Sequence, residues 1–253
     1  MKTGSKRKLI KLVLILFGLI IVFSPLYMYF SADVSRLNEE FPQITLSEDK
    51  LKASYEIQEK RPANWVRLDQ ISRYTKWAII FSEDWSFYDH DGIDIEQIKT
   101  ALNQMVEKKK FRGASTITQQ MVKNVYLSNS RTIGRKIHEI ILAQKVEKIV
   151  SKNKILEVYL NVIEYGPGIF GIKAAANHYF KKHPSALTPR ESAFLAMMLP
   201  SPKRYYMSYK KRCLTKFAGA RIRNILRKLR MGRVINSDQY VQELYNRFPW
   251  ERC

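Results

Sequence analysis

Residues 12–30 read LVLILFGLIIVFSPLYMYF, a run of 19 residues without a charge. Wound as a helix it rises about 28 Å, close to the roughly 30 Å hydrocarbon core of a bilayer. A cleaved secretory signal has a shorter apolar stretch and ends on small residues. This run instead ends on Tyr27-Met28-Tyr29-Phe30, so it predicts an uncleaved transmembrane anchor. Lys2, Lys6, Arg7, Lys8 and Lys11 precede it, and the next cation is Arg36. That bias puts the N-terminus in the cytoplasm and the body of the chain outside. Tyr27 and Tyr29 then fall in the outer aromatic belt.

The chain has 253 residues, so about 220 follow the anchor, enough for one domain with a real hydrophobic core. The expected organisation is a basic tail at 1–11, the anchor at 12–30, a polar juxtamembrane stalk with some helix at 31–62, and one folded domain at 63–253. Lys and Arg number 44 against 23 Asp and Glu, a balance of +21, of which +16 lies beyond the basic tail. Such an excess favours an anionic partner: nucleic acid, anionic lipid or a phosphorylated substrate. An outward-facing body argues against nucleic acid and leaves membrane phosphates or a phosphorylated lipid. Cys213 and Cys253 have no metal-site spacing, and their separation in sequence leaves open whether they pair.

From Val66 onward helical signals dominate. Ile71, Tyr74, Ala78 and Ile79 recur at helical spacing up to Glu83. Residues 134–150 carry Ile137, Ile140 and Ile141 on one side and Leu142, Val146 and Ile149 on the other, the pattern of a helix buried on both sides. Ser151 caps a stripe of Ile155, Leu156, Tyr159, Leu160 and Ile163. Thr188-Pro189-Arg190-Glu191 is a capping box opening a helix over 189–199. No convincing run of alternating strands occurs, so the fold class is all-α or nearly so.

Three segments carry chemistry. Glu83 ends an apolar helical stretch, where lost hydration and the negative helix end both raise a carboxyl pKa. That suits proton exchange near neutral pH, although an ordinary helix end with solvated acids also fits. GASTITQQMVKN, from Gly113 to Asn124, has a capping box at Thr116 and Gln119. Its free N–H groups would suit a phosphate, with Lys123 two turns on; a capped structural helix fits equally. In RTIGRKIHE, Arg131, Arg135 and Lys136 surround Glu139. This is either an internal ion pair or a second acid beside guanidinium groups that grip a diphosphate. His138-Glu139 is no zinc motif, because Leu142 stands where a second His is needed. Ser151-Lys152-Asn153-Lys154 and Lys2-Thr3-Gly4 match transpeptidase signatures only by chance, the latter lying in the tail.

Taken together these segments resemble glycosyltransferase family 51, the peptidoglycan glycosyltransferases. The resemblance rests on five ordered motifs. They are Glu83-Asp84 with Phe87, His90 and Gly92; the GASTITQQ run with Lys123-Asn124; Arg135-Lys136 with Glu139; Ile155 to Asn161 with Gly166, Gly171 and Tyr179-Phe180; and Glu191 to Ala196 ending at Leu199-Pro200. It covers roughly residues 66–205. Phe194 and Met197-Met198 are bulkier than usual there.

The resemblance implies a lysozyme-like helical glycosyltransferase domain with a head and a smaller membrane-touching lobe. That lobe would include residues 93–111, with Ile95, Ile98, Leu102 and Met105 as an apolar stripe and Lys108-Lys109-Lys110 toward lipid. It implies a monofunctional enzyme of the bacterial inner membrane that polymerises lipid II with inversion, releases undecaprenyl diphosphate and has no transpeptidase activity.

In this reading Glu83 is the catalytic base and Glu139 a second catalytic acid that holds cations or helps bind a divalent ion, Mg or Mn; metal need stays open. Lys123, Arg131, Arg135 and Lys136 neutralise the diphosphate, and Phe87, His90, Ser115, Thr116, Gln120 and Asn124 help bind and orient substrate. Partners are lipid II, the growing glycan, membrane lipids and other cell-wall or division proteins. The rival readings are a lysozyme-like lytic hydrolase and a tethered scaffold.

Overall fold

The computed structural model describes residues 13, 23–24, 26–49, 52–108, 113–128, 130 and 132–253, apart from the side chains of 102 and 105–108. The tail, most of the apolar run, Lys109, Lys110 and Arg131 therefore lie outside the described residues, as do the side chains of Leu102, Met105 and Lys108. Among the described residues no helix is long and apolar enough to cross a membrane.

A short 3-10 turn, Ser35–Asn38, leads to a hairpin of β1 (Phe41–Leu46) and β2 (Ala53–Gln58). Ten α-helices follow among the described residues: α1 (Arg73–Glu83), α2 (Ile95–Lys108), α3 (Ile117–Tyr126), α4 (Ile133–Ile149), α5 (Lys152–Val162), α6 (Ile172–Phe180), α7 (Pro189–Met198), α8 (Pro202–Lys210), α9 (Lys216–Met231) and α10 (Ser237–Tyr245). A second small pair, β3 (Glu164–Gly166) and β4 (Ile169–Phe170), links α5 to α6. The described chain is thus a largely helical domain.

Side-chain caps start most of these helices, as the sequence predicts. Thr116, Ser151 and Thr188 each accept from an N–H of the first turn, and Thr116 and Thr188 complete reciprocal capping boxes with Gln119 and Glu191. Each cap satisfies donors that would otherwise be orphaned at the helix start.

All ten residues of α7 are buried. It forms the central post against which α1 and α9 pack, while α3 packs on α4 and α5. The bulky Phe194 of α7 sits edge-on to Tyr179, Phe180 and Phe248 and 5.4 Å from the Trp250 ring. Met197 and Met198 are fully buried, so the extra volume fills the core.

Two expectations change. The stalk is not only polar coil with a little helix. Its β1–β2 hairpin is antiparallel from Phe41 opposite Gln58 to Leu46 opposite Ala53. It packs on α5 and α3, and the Tyr55 hydroxyl donates to the Val162 carbonyl at 3.0 Å. Helix α4 is not buried on both sides. Glu139, Leu142, Ala143 and Val146 face the core, while Ile133 and Ile137 are exposed. The other face receives the end of the apolar run. Lys145 Nζ donates to the carbonyls of Tyr29 and Ala32, both at 2.8 Å.

Cys213 and Cys253 form a disulfide with Cα atoms 5.4 Å apart, closing a separation of 40 residues. A loop of that length contributes about 4 kcal/mol in the chain-entropy account.

Gly171 starts α6 at φ +79°, where its missing Cβ would lie 2.6 Å from the Asn161 carbonyl oxygen. Both backbone strain and a backbone clash oppose any side chain there. Gly171→Ala is expected to cost about 3 kcal/mol in urea unfolding; a loss under about 1 kcal/mol would show that α5 and α6 can separate there.

Candidate active site

The last turn of α1 delivers Glu83 into a cavity of about 760 Å³. Ser115 and Gln120 border it from the start of α3, Lys123 from the next turn, and Arg221 and Lys228 from α9. Glu83 is half-buried and accepts a hydrogen bond from Gln120 Nε2 at 3.1 Å. Gln120 Oε1 in turn accepts from the hydroxyl of the fully buried Tyr159 at 3.1 Å. The chain Tyr159–Gln120–Glu83 fixes where the carboxyl points. Burial pushes the Glu83 pKa above its ordinary value of 4.5, against opposing pulls from the Gln120 bond, Arg221, Ser82 and Lys228.

The neighbouring residue is what holds these elements together. Asp84 is 1% exposed. One carboxylate oxygen accepts the Ile117 N–H of α3 at 2.9 Å, and the other contacts His90 Nε2 at 2.9 Å. His90 Nδ1 accepts the Gly92 N–H at 3.2 Å, so the proton resides on Nε2 and points at Asp84. The α3 N-terminus is therefore already engaged by an anion, the protein's own carboxylate.

The residues expected to bind substrate divide accordingly. Ser115, Gln120 and Lys123 line the cavity with Glu83. Asn124 lines an adjoining recess with Lys123. Thr116 does not line the cavity: it is buried, donates to the Gly92 carbonyl at 2.8 Å and accepts the Gln119 N–H. Phe87 is fully buried, with Lys152 Nζ 4.6 Å above its ring, and His90 is held inside the Asp84 network. Neither lines the cavity, and both shape the loop after α1.

Glu139 is 2% exposed and does not line the cavity. It pairs with Arg135 and Lys136 on its own helix. Lys136 Nζ also reaches Ser115 Oγ at 3.0 Å, so this cluster touches the cavity wall through Ser115. Arg135 does not line the cavity, and Arg131 lies outside the described residues.

Sequence reasoning missed Asp84 as the hub, Tyr159 as the end of the relay, and the cations of α9. Arg221, Asn224, Ile225 and Lys228 recur at i, i+3, i+4 and i+7 and all border the cavity. The helical spacing that puts Arg221 and Lys228 on one face was a readable signal. Lys228 Nζ also donates to the Phe81 carbonyl, tying α9 to the end of α1.

Among the described residues the one tight group of possible metal ligands is Asp84, His90 and Asp94, whose ligand atoms lie within 4.8 Å of one another. It does not fit an ion. Asp84 takes His90 and the Ile117 N–H, while Asp94 takes the Ser86 hydroxyl and the Gln97 N–H at 2.7 Å. Glu139 is likewise neutralised by two cations.

The transglycosylase family model matches residues 49–230. The chain belongs to the transglycosylase family. A biosynthetic peptidoglycan transglycosylase of Aromatoleum aromaticum is 47% identical over 156 residues, covering 59% of this chain and 68% of that one. Its counterpart from Bordetella avium is 40% identical over 200 residues, 77% of this chain and 78% of that one. One from Alcanivorax borkumensis is 39% identical over 201 residues, 79% of each. In this transglycosylase the cavity is built wholly from elements inside the matched span.

Asp84→Ala would leave both the Ile117 N–H and His90 without their partner. It is expected to cost about 3 kcal/mol in urea unfolding, with Asp84→Asn recovering part because it keeps an acceptor for Ile117. Equal losses in the two variants would remove the hub role.

Proposed function

We propose that this transglycosylase polymerises lipid II into the β-1,4 glycan strands of peptidoglycan, with Glu83 as the general base. The observation that carries the reading is a desolvated carboxyl, Glu83, sharing one cavity with Lys123, Arg221 and Lys228. A lytic hydrolase acting on a neutral polysaccharide has no use for so cationic a wall, whereas a diphosphate leaving group does.

In the proposed step the Glu83 carboxylate takes the proton from the 4-hydroxyl of the acceptor sugar. The freed oxygen forms its bond to C1 of the donor sugar as the C1–O bond to the diphosphate breaks. Undecaprenyl diphosphate leaves from the opposite face with the bonding electrons, so a single displacement inverts the anomeric centre. The negative charge growing on the diphosphate is the largest charge change of the step, and preorganised cations stabilise it most in a water-poor cavity. Lys123 stands in the wall for this role. Lys136 acts through Ser115, and Glu139 keeps Lys136 and Arg135 in position. Gln120 orients the base.

Base strength follows from the same setting. A raised pKa makes Glu83 a better proton acceptor once ionised, while the cations and the Gln120 bond keep the ionised form accessible. No transpeptidase function is assigned to the chain. Residues 12–30 would hold the protein in the inner membrane with the N-terminus cytoplasmic, residues 31–62 would connect to the enzyme domain at 63–253, and the domain would work outside, where a disulfide persists. Within that domain a lysozyme-like head and a smaller lobe around α2 would flank the cleft, and exposed Ile95, Ile133 and Ile137 would meet the bilayer surface. Other cell-wall or division proteins are the natural neighbours of such an enzyme.

Purified protein with lipid II should yield glycan polymer on a gel. Glu83→Gln keeps an acceptor for Gln120 but cannot take a proton, so turnover should fall at least about 100-fold. Its stability should move the other way. The folded pKa of Glu83 lies above the unfolded one, so wild-type stability is greatest below the unfolded value and is lost as pH rises through the folded value. Above that window Glu83→Gln should unfold at equal or higher urea than wild type. An active Gln variant would end the assignment of the base.

The rate should also depend on pH in a defined sense. kcat/KM should rise with pH through an acid limb whose midpoint lies above 4.5, the ordinary carboxyl value. Gln120→Leu removes a bond that favours the ionised form, so its limb should move to higher pH; an unmoved limb would detach Gln120 from the base.

A further inference from the structure

Beside the main cavity lies a recess of about 290 Å³ that shares Gln120, Lys123, Leu199 and Pro200 with it. Its far wall carries Lys52 and Tyr55 from the β1–β2 hairpin region and Glu164 from β3. The recess is therefore a side branch of the same cleft.

Glu164 is an unexpected residue to find there. Several shielded acids in this basic chain are matched to a cation: Glu139 to Arg135 and Lys136, Glu147 to Lys152, Glu191 to Lys182. Glu164 forms no ion pair within 4 Å among the described residues. Its carboxyl is held by the Gly168 N–H of its own β-turn, and burial outweighs that bond and the pull of Lys203, so its pKa is raised above 4.5. Its Oε1 is shielded and has no hydrogen-bond partner in the protein. Burying such an acceptor unpaired costs about 1–3 kcal/mol, which folding alone does not repay.

The local backbone is built to aim this side chain. β3 and β4 pair with an irregular register between Glu164 and Gly166, and such bulges redirect a side chain. Gly168 sits at φ +70° in the turn, and a Cβ on Gly166 would fall 2.4 Å from the Tyr179 hydroxyl. A two-glycine turn thus pins Glu164 against the branch.

We propose that Glu164 and the branch it lines form a specificity subsite that accepts a hydrogen bond from an N–H or O–H donor on the part of the substrate extending from the reacting sugar. The inference rests on the lipid II reading above. The donor belongs either to the peptide attached to the sugar or to the sugar's own hydroxyl and acetamido groups. Glu164 is a positioning residue: it touches substrate away from the atoms that react, so it governs binding more than turnover.

The test uses full-length enzyme and two substrates, lipid II and the same lipid-linked disaccharide without its peptide. Glu164→Ala should raise KM for lipid II about tenfold, the equivalent of one hydrogen bond at about 1.4 kcal/mol per decade, with kcat within about twofold. Glu164→Gln, which keeps an acceptor, should fall between Ala and wild type. Both should melt no lower than wild type, because a desolvated acid has been removed. A KM effect confined to lipid II identifies the peptide as the source of the donor; an equal effect on both substrates identifies the sugar. Unchanged KM on both substrates overturns the subsite, and so does a lowered melting temperature with collapsed kcat, which marks a structural role. Wild-type enzyme that fails to polymerise lipid II would instead overturn the function itself, so the two failures are distinguishable.

Discussion

One buried carboxylate joins the elements that make the site. Asp84 caps the start of α3 through the Ile117 N–H and holds His90 through its other oxygen. It follows Glu83 directly, so the bond that docks α1 on α3 also sets the distance between Glu83 and Gln120. Nothing about Glu83 alone would put it 3.1 Å from Gln120. The helix dipole that an outside phosphate could have used is instead committed to the architecture, and substrate charge must be met by side chains. Lys123, two α3 turns beyond the cap, and Arg221 and Lys228 of α9 border the cavity where the proposed step would place that charge.

The electrostatics of the cleft are a balance of two opposing effects. Burial raises the cost of ionising Glu83, and Arg221 and Lys228 lower it from across the cavity. A general base needs both: without desolvation it would be weak, and without cations it would stay protonated. This gives the net charge of +21 a local meaning. The excess is not only a surface attraction for anionic membrane. Part of it, Arg221 and Lys228 of α9, borders the cavity, where it lowers the cost of ionising Glu83 and in the proposed step would also meet the leaving group.

What the sequence made legible follows from how local each signal is. Caps at Thr116, Ser151 and Thr188 were readable because a cap is fixed within four residues. The end of α1 at Glu83 and the pairing of Arg135 and Lys136 with Glu139 were readable for the same reason. The β1–β2 hairpin was not, because Pro42 and the polar residues interrupt β1 and only Ala53, Tyr55 and Ile57 alternate in β2. The two-sided apolar pattern of α4 misled because its second face meets the end of the apolar run, a contact that helical periodicity cannot encode. Phe87, His90 and Thr116 were expected at the substrate because motif residues cluster around a site; some motif residues line the cavity, and others, these three among them, brace it from behind. Only three-dimensional contacts separate those two duties.

Unpaired acids offer a way to tell them apart. In a chain with so many cations, several shielded acids sit beside one, as Glu139, Glu147 and Glu191 do, while Asp84 and Asp94 are satisfied by hydrogen bonds within the fold. Glu243 is pushed up by burial but accepts the Arg190 N–H, a structural duty. Glu83 and Glu164 are different. Both are raised by desolvation, both border the connected cleft, and neither forms an ion pair within 4 Å among the described residues. Each is anchored by hydrogen bonds that fix its direction: Gln120 and Ser82 to Glu83, and the Gly168 turn to Glu164. Two directed carboxyls, neither in a direct ion pair among the described residues, thus face the one connected cleft.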